Sequence, residues 1–294
     1  MQIQQQVILA PYTTFHVGGP ADYFVVAENL DDIKDAVAWA KKQAVPYFLL
    51  GTGANILVSD KGYRGLVIKN EAKLYEFNGN LLTAQSGATI ADLITLCKEQ
   101  NLSGLEDFAG IVSTVGGALW QNLHFLSSDR SKTVYIADIV DSASMLFENG
   151  TTDVVQKDYF QFGYDQSILH TKKDIVLSAT FRLSSKDADA IQQTIDADIK
   201  WRQEKHPKDA PHCSAGSIFK KIEGKGAGRL IEQVGLKGKI IGGAQISPVH
   251  ANFIVNLGNA KARDVVDLIH LVTQTIREKL GLEMHPEISF VGEF

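Results

Sequence analysis

The sequence predicts an α+β protein with mixed sheets, built from three consecutive segments. Strand and helix patterns alternate over residues 1–69, short strands dominate residues 70–185, and helical patterns return over residues 186–294. A length of 294 residues and a hydrophobic share of 45% suffice for a large core without a metal or disulfide staple. By length we expect two domains, or three small ones.

The first segment begins with a strand, a helix and a second strand. Residues 22–27 are rich in aromatic and β-branched side chains, which favour a strand. Asn29 is a typical helix cap, and apolar residues follow it at helical spacing until Pro46 ends the pattern. Residues 47–50 are typical of a buried strand. Short strands are also predicted over residues 56–58 and 66–68.

The middle segment is predicted to be rich in strands. The Asn-Gly-Asn sequence at residues 78–80 separates two apolar stretches and predicts a hairpin. The sequence Thr89-Ile-Ala-Asp is typical of a capping box, which starts a helix with Cys97 on its apolar face. Since free cysteine packs as a small hydrophobic side chain, we expect Cys97 to be buried. A turn at Asn149-Gly150 precedes short strands that end over residues 175–183.

The third segment is predicted to contain more helix. Apolar residues from Val265 to Leu280 recur at helical spacing, and Gly281 ends the pattern. The other predicted elements are a helix over 188–202, a loop over 206–211, a short helix over 227–234 and a strand over 253–255.

Composition excludes several classes of function. A net charge of −5 and a pI near 5.9 argue against a nucleic-acid partner. The sequence has no apolar run of about 18 residues and no signal-peptide pattern at its start, so we expect a cytoplasmic protein without membrane insertion. Two cysteines and eight histidines without metal-ligand spacing predict no metal site.

A glycine-rich turn, the first loop, follows the strand at residues 47–50. It has the sequence Gly51-Thr-Gly-Ala-Asn-Ile-Leu57. Successive backbone N–H groups in such a turn form a nest for an anion, which glycine lets approach closely. The turn lacks the Gly-Lys-Ser/Thr of a Walker loop and is not G-x-G-x-x-G. An ordinary tight turn and a phosphate cradle therefore both remain open.

A second glycine-rich stretch, the second loop, runs from Gly110 to Ala118, and Asn122 follows it. It contains two hydroxyl residues as well as three glycines. Alone, it is equally compatible with a loop packed on the core. Two such loops in one acidic chain favour a dinucleotide, because a long cofactor needs several anchoring points.

Two stretches near the C-terminus carry candidate acid–base groups. In Ser214-Ala-Gly-Ser217-Ile-Phe-Lys220, small residues flank two serines and a lysine follows, which suggests an exposed hydroxyl beside a cation. Such a serine is a possible proton donor, and a helix cap or turn is the alternative. Glu287 begins an apolar stretch over residues 286–292, where an isolated carboxylate is commonly only solvated.

Seven segments resemble, in order, the UDP-N-acetylenolpyruvoylglucosamine reductase (MurB) family. They are YTTFHVGGPADYFV, LLGTGANILVSDKGYRGLVI, GLEDFAGIVSTVGGALWQN, FGYDQS, SAGSIFK, GAGRLIEQVGLKGKIIGGAQISPVHANFIVN and HPEISFVGE. The resemblance covers nearly the whole chain and is more specific in the C-terminal third. The middle of the chain is similar to the shorter, second subtype of the family.

The resemblance implies a fold, cofactors and a reaction. The fold is an FAD-binding module of the vanillyl-alcohol-oxidase type in two subdomains, residues 1–69 and 70–185, with an α+β substrate domain at residues 186–294. NADPH reduces the FAD, and UDP-N-acetylglucosamine enolpyruvate is then reduced to UDP-N-acetylmuramate for peptidoglycan synthesis. The partners implied are NADPH and a sugar nucleotide, and we expect a monomer.

The resemblance also implies roles for individual residues. Ser217 donates a proton to the substrate, and Glu287 lies by the substrate carboxylate. Lys220 and Arg229 are candidates for binding the sugar-nucleotide phosphates. The residues implied to bind FAD are Gly51, Thr52, Gly53, Ala54, Asn55, Ile56, Leu57, Thr114, Gly116, Gly117 and Asn122.

Some positions depart from the family pattern. The family motif FGYR-S occurs here with Asp165 in place of the arginine that faces the substrate carboxylate. Either a nearby cation replaces the arginine, with Arg130, Lys172 and Lys173 as candidates, or the reaction is lost. Bulky residues 123–128 follow Asn122 in place of small ones. His16 replaces a basic residue of the family, and Val112-Ser113 replaces a Pro-Gly pair.

These departures leave two alternatives to the reductase open. One is a family member that binds a sugar nucleotide or a protein partner without redox turnover. The other is a flavoenzyme of the same fold with a different substrate.

Overall fold

The computed structural model describes residues 1–207, 213–222 and 225–294. Most of the loop predicted over residues 206–211 lies outside the described residues. The strands are β1 Gln4–Ile8, β2 Pro20–Ala27, β3 Tyr47–Leu50, β4 Ile56–Val58, β5 Tyr63–Asn70, β6 Tyr75–Asn78, β7 Leu81–Gln85, β8 Leu102–Ser103, β9 His124–Leu126, β10 Thr133–Tyr135, β11 Val140–Leu146, β12 Thr152–Gln156, β13 Ile175–Arg182, β14 Ser184–Ser185, β15 Ile240–Ile241, β16 Ala244–Ile246, β17 Ile254–Asn256 and β18 Ser289–Val291.

Five of the six α-helices in the described residues agree with the sequence predictions. The exception is Val115–Gln121, which begins inside the stretch interpreted as the second loop. The Asn29 side chain caps the first helix by accepting hydrogen bonds from the N–H groups of Asp31 and Asp32. Thr89 caps the second by accepting from the N–H of Asp92. The helices are α1 Leu30–Lys42, α2 Ile90–Glu99, α3 Val115–Gln121, α4 Ala188–Lys205, α5 Ala227–Gln233 and α6 Ala262–Leu280.

The chain forms two compact units, and each is made of separate stretches. Unit 1 comprises Met1–Gln2, Val25–Gly51 and Ile68–Arg202, and unit 2 comprises Ile3–Phe24, Thr52–Val67 and Gln203–Phe294. The unit boundaries fall within β2 and β5, and again just after Gly51. The three functional segments predicted from the sequence divide the chain differently and remain a prediction.

Unit 1 is built on a five-stranded antiparallel sheet with the order β12-β11-β13-β7-β6. Apolar residues of this sheet, α2 and α3 form one buried core, in which Phe108, Phe160 and Phe181 are almost fully buried. Cys97 lies in this core at 2% exposure, as predicted. Burial raises the pKa of its thiol to about 12, so Cys97 is an inert packing residue.

Unit 2 is organised around α6. The helix buries its apolar stripe and packs against the antiparallel sheet β15-β16-β17. It ends at Gly281, whose φ of +67° is readily adopted by glycine. Strand β18 pairs in parallel with β4, so the C-terminal stretch lies beside the strand that follows the first loop.

The N-terminal strand β1 is the main element that the sequence did not predict. It pairs antiparallel with β2, in a sheet with the order β1-β2-β5-β3. Its glutamine-rich sequence is exposed along nearly its whole length and lacks the apolar alternation typical of a half-buried strand. Among the described residues, no helix is long and apolar enough to cross a membrane.

Candidate active site

The first loop offers backbone donors in unit 2. Within the described part of the chain, the N–H groups of Thr52, Gly53, Ala54 and Asn55 donate no hydrogen bond to a backbone or side-chain acceptor. Consecutive unengaged N–H groups are the donors that an anion-binding nest requires. The phosphate-cradle alternative is therefore favoured over an ordinary turn.

Thr14 fixes the first loop to the segment that carries the two serines. Its N–H donates to the carbonyl of Gly53 at 3.2 Å, and its Oγ1 donates to the carbonyl of Ser214 at 2.7 Å. Gly53 has a φ of +66°, and a Cβ there would lie 2.4 Å from the carbonyl oxygen of Tyr12. Sequence reasoning did not select Thr14, although it stands in the first segment that resembles the family.

The same loop is tied to the segment that carries Glu287. The N–H of Ser289 donates to the carbonyl of Asn55 at 3.0 Å, where β18 begins to pair with β4. Glu287 lies two residues before Ser289 and is partly exposed. Unit 2 therefore brings Glu287 beside the first loop.

Ser217 lies in the middle of three paired segments of unit 2. It pairs with Phe253 in an antiparallel bridge on one side. On the other side, the N–H of Glu287 donates to the carbonyl of Ile218 at 2.8 Å. Ser217 is partly exposed, and its hydroxyl makes no hydrogen bond to any described residue. The fold thus brings the segment of Ser217 beside the segment of Glu287, although 70 residues separate the two in sequence.

Asn252 holds the Ser217 segment in place. Its side chain donates to the carbonyl of Phe219 at 2.9 Å and accepts from the N–H of Phe219 at 3.0 Å. Its own carbonyl accepts from the N–H of Ile218 at 2.8 Å. The side-chain amide of Asn252 pairs with both backbone groups of Phe219, as the backbone of a neighbouring strand would. This pairing explains the asparagine of the HANF sequence.

The second loop lies in unit 1, and several of its backbone N–H groups already donate hydrogen bonds within the protein. The N–H groups of Val115 and Gly116 donate to the carbonyls of Ala88 and Ser86, each at 2.9 Å. The N–H of Gly117 donates to Oγ1 of Thr114, which caps α3. These N–H groups are therefore not the ones that would contact a cofactor.

The two glycine-rich loops meet at Gly51, the end of the first loop that belongs to unit 1. A Cβ at Gly51 would lie 2.8 Å from Oγ1 of Thr114. The carbonyl of Gly51 accepts a hydrogen bond from Lys69 at 2.9 Å. Gly51 and Thr114 are therefore neighbours within unit 1.

Glu106, four residues before the second loop, is a buried carboxylate that accepts several hydrogen bonds. Its carboxylate is 4% exposed, and it accepts from the N–H of Gly104 at 2.7 Å, from Lys186 at 2.9 Å and from the hydroxyl of Ser103. Burial alone would raise the pKa of Glu106, but these hydrogen bonds outweigh it and hold the pKa below the ordinary value of 4.5.

We expect Glu106→Gln to lower the free energy of unfolding by about 1–3 kcal/mol at pH 7, because buried donors lose a charged acceptor. A depressed folded-state pKa stabilises the protein above pH 4.5, and the contribution is lost as pH falls through the folded-state pKa. Urea unfolding between pH 3 and pH 7 measures this. Exposed Glu99→Gln is the control, and a pH-independent difference at Glu106 would contradict the assignment.

Asn122, predicted to bind the cofactor, has a structural use for its side chain. It ends α3 with a φ of +51°, and its Nδ2 donates to the carbonyl of Gly163 at 2.8 Å. Its Oδ1 accepts from the N–H of Ala137 at 3.4 Å. Asn122 thereby fixes the stretch Phe162-Gly163-Tyr164, which directly precedes Asp165, the residue that differs from the family motif.

None of the three cations proposed to replace the family arginine lies within 4 Å of Asp165. Arg130 pairs with buried Asp198 at 2.8 Å. Lys172 lies over the ring of Tyr159, and Lys173 pairs with Glu148 at 3.7 Å. Each of the three cations therefore has a partner other than Asp165, and its part in replacing the arginine stays a prediction. The titratable side chain within 4 Å of Asp165 is that of His124, whose Nδ1 lies 3.5 Å from Oδ1 of Asp165.

The two residues proposed to bind substrate phosphate lie at different positions in unit 2. The N–H of Lys220 donates to the carbonyl of His285 at 3.0 Å, so Lys220 belongs to the segment of Ser217. Arg229 is exposed on α5. Among the described residues, no group of histidines, cysteines and carboxylates is arranged to hold a metal ion.

Comparison with known proteins identifies two domains in the chain. Residues 21–155 match the profile of an FAD binding domain, and residues 206–291 match the C-terminal domain of UDP-N-acetylenolpyruvoylglucosamine reductase. The first match contains both glycine-rich loops, and the second contains Ser217 and Glu287. These matches define a class of protein, the FAD-dependent oxidoreductases.

Full-length relatives give the family. The UDP-N-acetylenolpyruvoylglucosamine reductase of Bacillus subtilis is 41% identical over 97% of this chain and 92% of its own, and that of Clostridium novyi is 37% identical over 99% and 93%. The crystal structure of the Thermus caldophilus enzyme (MurB) superposes with a TM-score of 0.83 at 32% identity, covering 99% of both chains. The chain belongs to the UDP-N-acetylenolpyruvoylglucosamine reductase family, and the predicted α+β fold with an FAD-binding module is confirmed.

Proposed function

We propose that this protein uses NADPH and FAD to reduce UDP-N-acetylglucosamine enolpyruvate to UDP-N-acetylmuramate. The observation that carries the proposal is the arrangement of unit 2. Backbone pairing joins the segment that carries Ser217 to the segment that carries Glu287. Beside them lies a loop in which four N–H groups donate no hydrogen bond to a described residue. Proton donor, carboxylate and anion cradle are the parts that this reaction requires.

The first loop fits the diphosphate of FAD. The N–H groups of Thr52–Asn55 are available, and Thr14 and Ser289 fix the loop through its carbonyls. Ile56 and Leu57 follow as the start of β4. Gly51 and Thr114, which belong to unit 1, are also proposed to contact the cofactor. When bound, FAD supplies hydride transfer between NADPH and the alkene of the substrate.

The protein groups act on the second half of the reduction. Hydride addition to the β-carbon of the enolpyruvyl group places negative charge on the adjacent carboxylate, and the α-carbon then takes up a proton. Ser217 is the proposed donor, since its hydroxyl faces no competing partner in the described chain. Glu287 lies across the paired segments, where it would orient the hydroxyl and the substrate carboxylate. Solvent restores the proton to Ser217 after each turnover.

Lys220 and Arg229 are proposed to neutralise the phosphates of the sugar nucleotide. Lys220 belongs to the same backbone-paired segment as Ser217, through the hydrogen bond from its N–H to the carbonyl of His285. Residues 1–69 and 70–185 are proposed as the two FAD-binding subdomains, and residues 186–294 as the substrate domain. We further propose a monomeric cytoplasmic enzyme that serves cell-wall synthesis, and thereby cell shape and division.

A coupled assay tests the proposed function. We expect the purified protein to oxidise NADPH only when UDP-N-acetylglucosamine enolpyruvate is present, and to form a product heavier than the substrate by two hydrogens. The substrate analogue that lacks the alkene, UDP-N-acetylglucosamine, is the matched control. Binding of the enolpyruvyl substrate without NADPH oxidation would contradict the proposal and favour a family member without redox turnover.

A further inference from the structure

Thr14 contacts two segments of unit 2 through separate groups. Its N–H donates to the carbonyl of Gly53 at 3.2 Å, and its hydroxyl donates to the carbonyl of Ser214 at 2.7 Å. The hydroxyl oxygen also lies 3.4 Å from the carbonyl oxygen of Gly53, but its single proton serves the shorter contact. Gly53 belongs to the first loop, and Ser214 precedes the proposed proton donor, Ser217, by three residues. One residue therefore joins the anion cradle to the segment of the donor.

The carbonyl that holds Thr14 belongs to the anion cradle itself. The carbonyl of Gly53 and the N–H of Ala54 are parts of one peptide group, and this N–H donates no hydrogen bond to a described residue. A peptide group that donates on one side becomes a stronger acceptor on the other, because hydrogen bonds in a chain polarise one another. An anion bound at the N–H of Ala54 therefore strengthens the hydrogen bond that the carbonyl of Gly53 accepts from Thr14.

The neighbours of Thr14 on both sides are fixed in the fold. Thr13 is buried, and its hydroxyl contacts only carbonyls of its own segment, residues 10–17, among the described residues. Phe15 is fully buried, and its carbonyl accepts a hydrogen bond from the side chain of Asn256 at 3.0 Å. Because its neighbours are held in this way, a change in the hydrogen bonds of Thr14 affects its two partners rather than its own backbone.

A short turn connects Ser214 to Ser217. Ser214 and Ala215 are 1% and 2% exposed, so the first half of the turn is anchored in the core. The N–H of Gly216 donates to Oγ of Ser214 at 3.3 Å, and Gly216 has a φ of +75°. This turn leaves little freedom between the two serines. The hydrogen bond from Thr14 to the carbonyl of Ser214 therefore helps to set the position of the Ser217 hydroxyl.

We propose that Thr14 couples binding of the FAD diphosphate in the first loop to the position of Ser217, and is thereby a positioning residue for the proton donor. In an enzyme built in this way, the donor is fully ordered only when the cofactor is present. Every contact in the chain from Ala54 to Ser217 lies within unit 2. The inference rests on the proposed function, because it takes FAD as the ligand of the loop and Ser217 as the donor.

The first experiment compares the wild-type protein with FAD bound and after removal of FAD, without substrate. Hydrogen exchange followed by mass spectrometry measures the protection of peptides within residues 213–222. These peptides contain the N–H of Ile218, which donates to the carbonyl of Asn252 at 2.8 Å. We expect FAD to slow their exchange about 10-fold more than that of peptides from α6, which report general stabilisation by a ligand. Equal slowing in the two sets of peptides would overturn the coupling without any variant.

The second experiment repeats this measurement in Thr14→Val, which keeps the branched shape and removes the hydroxyl. We expect the Kd of FAD to stay within about 3-fold of the wild type, since the backbone donors remain, and the extra protection of residues 213–222 to be lost. Thr14→Ser keeps the hydroxyl and should restore the protection. Thr13→Val is the matched control, because that hydroxyl contacts the carbonyls of Ala10 and Val17 instead. Full protection in Thr14→Val, or an equal loss in Thr13→Val, would overturn the role of Thr14.

The third experiment follows the two half-reactions by anaerobic stopped-flow absorbance. In Thr14→Val we expect flavin reduction by NADPH at the wild-type rate and flavin reoxidation by the enolpyruvyl substrate about 10-fold more slowly. Adding Thr14→Val to Ser217→Ala should slow reoxidation no further than Ser217→Ala alone, because Thr14 acts through Ser217. A merely structural role predicts effects that multiply, and that result would contradict the proposal.

The outcomes separate this inference from the proposed function. An active wild type in which FAD gives residues 213–222 no extra protection would overturn the inference and leave the reductase in place. A wild type that shows the Thr14-dependent protection but no substrate-dependent NADPH oxidation would overturn the reductase and support the coupling. A protein that binds no FAD would overturn both.

Discussion

Replacing Ser217 with alanine is expected to leave flavin reduction by NADPH at its normal rate and to slow flavin reoxidation by the enolpyruvyl substrate about 10²- to 10⁴-fold. The reason is that only the second half-reaction needs a proton at the α-carbon. Ser217 is partly exposed and its hydroxyl has no partner among the described residues, so its removal leaves no buried donor unsatisfied. Anaerobic stopped-flow absorbance separates the two half-reactions.

Ser214→Ala is the matched control for this experiment. Ser214 is three residues away and 1% exposed, and its hydroxyl oxygen accepts from the N–H of Gly216 at 3.3 Å. We expect that variant to be less stable but to show no selective loss of the second half-reaction. Reoxidation of Ser217→Ala at the wild-type rate would show that another group donates the proton.

Asn252→Ala is expected to have the largest effect on stability, a loss of about 2–4 kcal/mol in the free energy of unfolding. Asn252 is 7% exposed, and its side chain satisfies both backbone groups of buried Phe219. Without that side chain, the N–H and carbonyl of Phe219 lose their partners, and the neighbouring Ser217 loses its fixed position. We therefore also expect the kcat of the surviving folded protein to fall.

Urea unfolding followed by tryptophan fluorescence measures the stability change, and a steady-state assay on the folded fraction measures kcat. The control is Asn78→Ala at the exposed end of β6, which we expect to change stability by less than about 0.5 kcal/mol. Equal stability losses at Asn252 and Asn78 would contradict the clamp that we assign to Asn252.

Local sequence patterns predicted most elements because the forces that define them are local. Asn29 and Thr89 are typical helix caps and predict α1 and α2. The apolar stripe that ends at Gly281 predicts α6. Strand β1 escaped prediction because its pairing with β2, rather than its own apolar pattern, stabilises it. The two glycine-rich loops were predicted to bind one dinucleotide, and the closeness of Gly51 to Thr114 is compatible with that prediction.

The parts of the site that escaped prediction depend on contacts between distant residues. Thr14 donates hydrogen bonds to carbonyls 39 and 200 positions away in the sequence. Asn252 hydrogen-bonds to a residue 33 positions away. The neighbour of Asp165 is His124, which lies 41 positions earlier in the sequence. Hydrogen bonds at such separations leave no periodic signal in a sequence.

The visible absorption spectrum of the purified protein tests the central claim most directly. We predict flavin absorbance at about one FAD per chain, bleached by NADPH without oxygen and restored by stoichiometric UDP-N-acetylglucosamine enolpyruvate. A colourless protein that cannot be reconstituted with FAD, or a bleached flavin that this substrate fails to reoxidise, would contradict it.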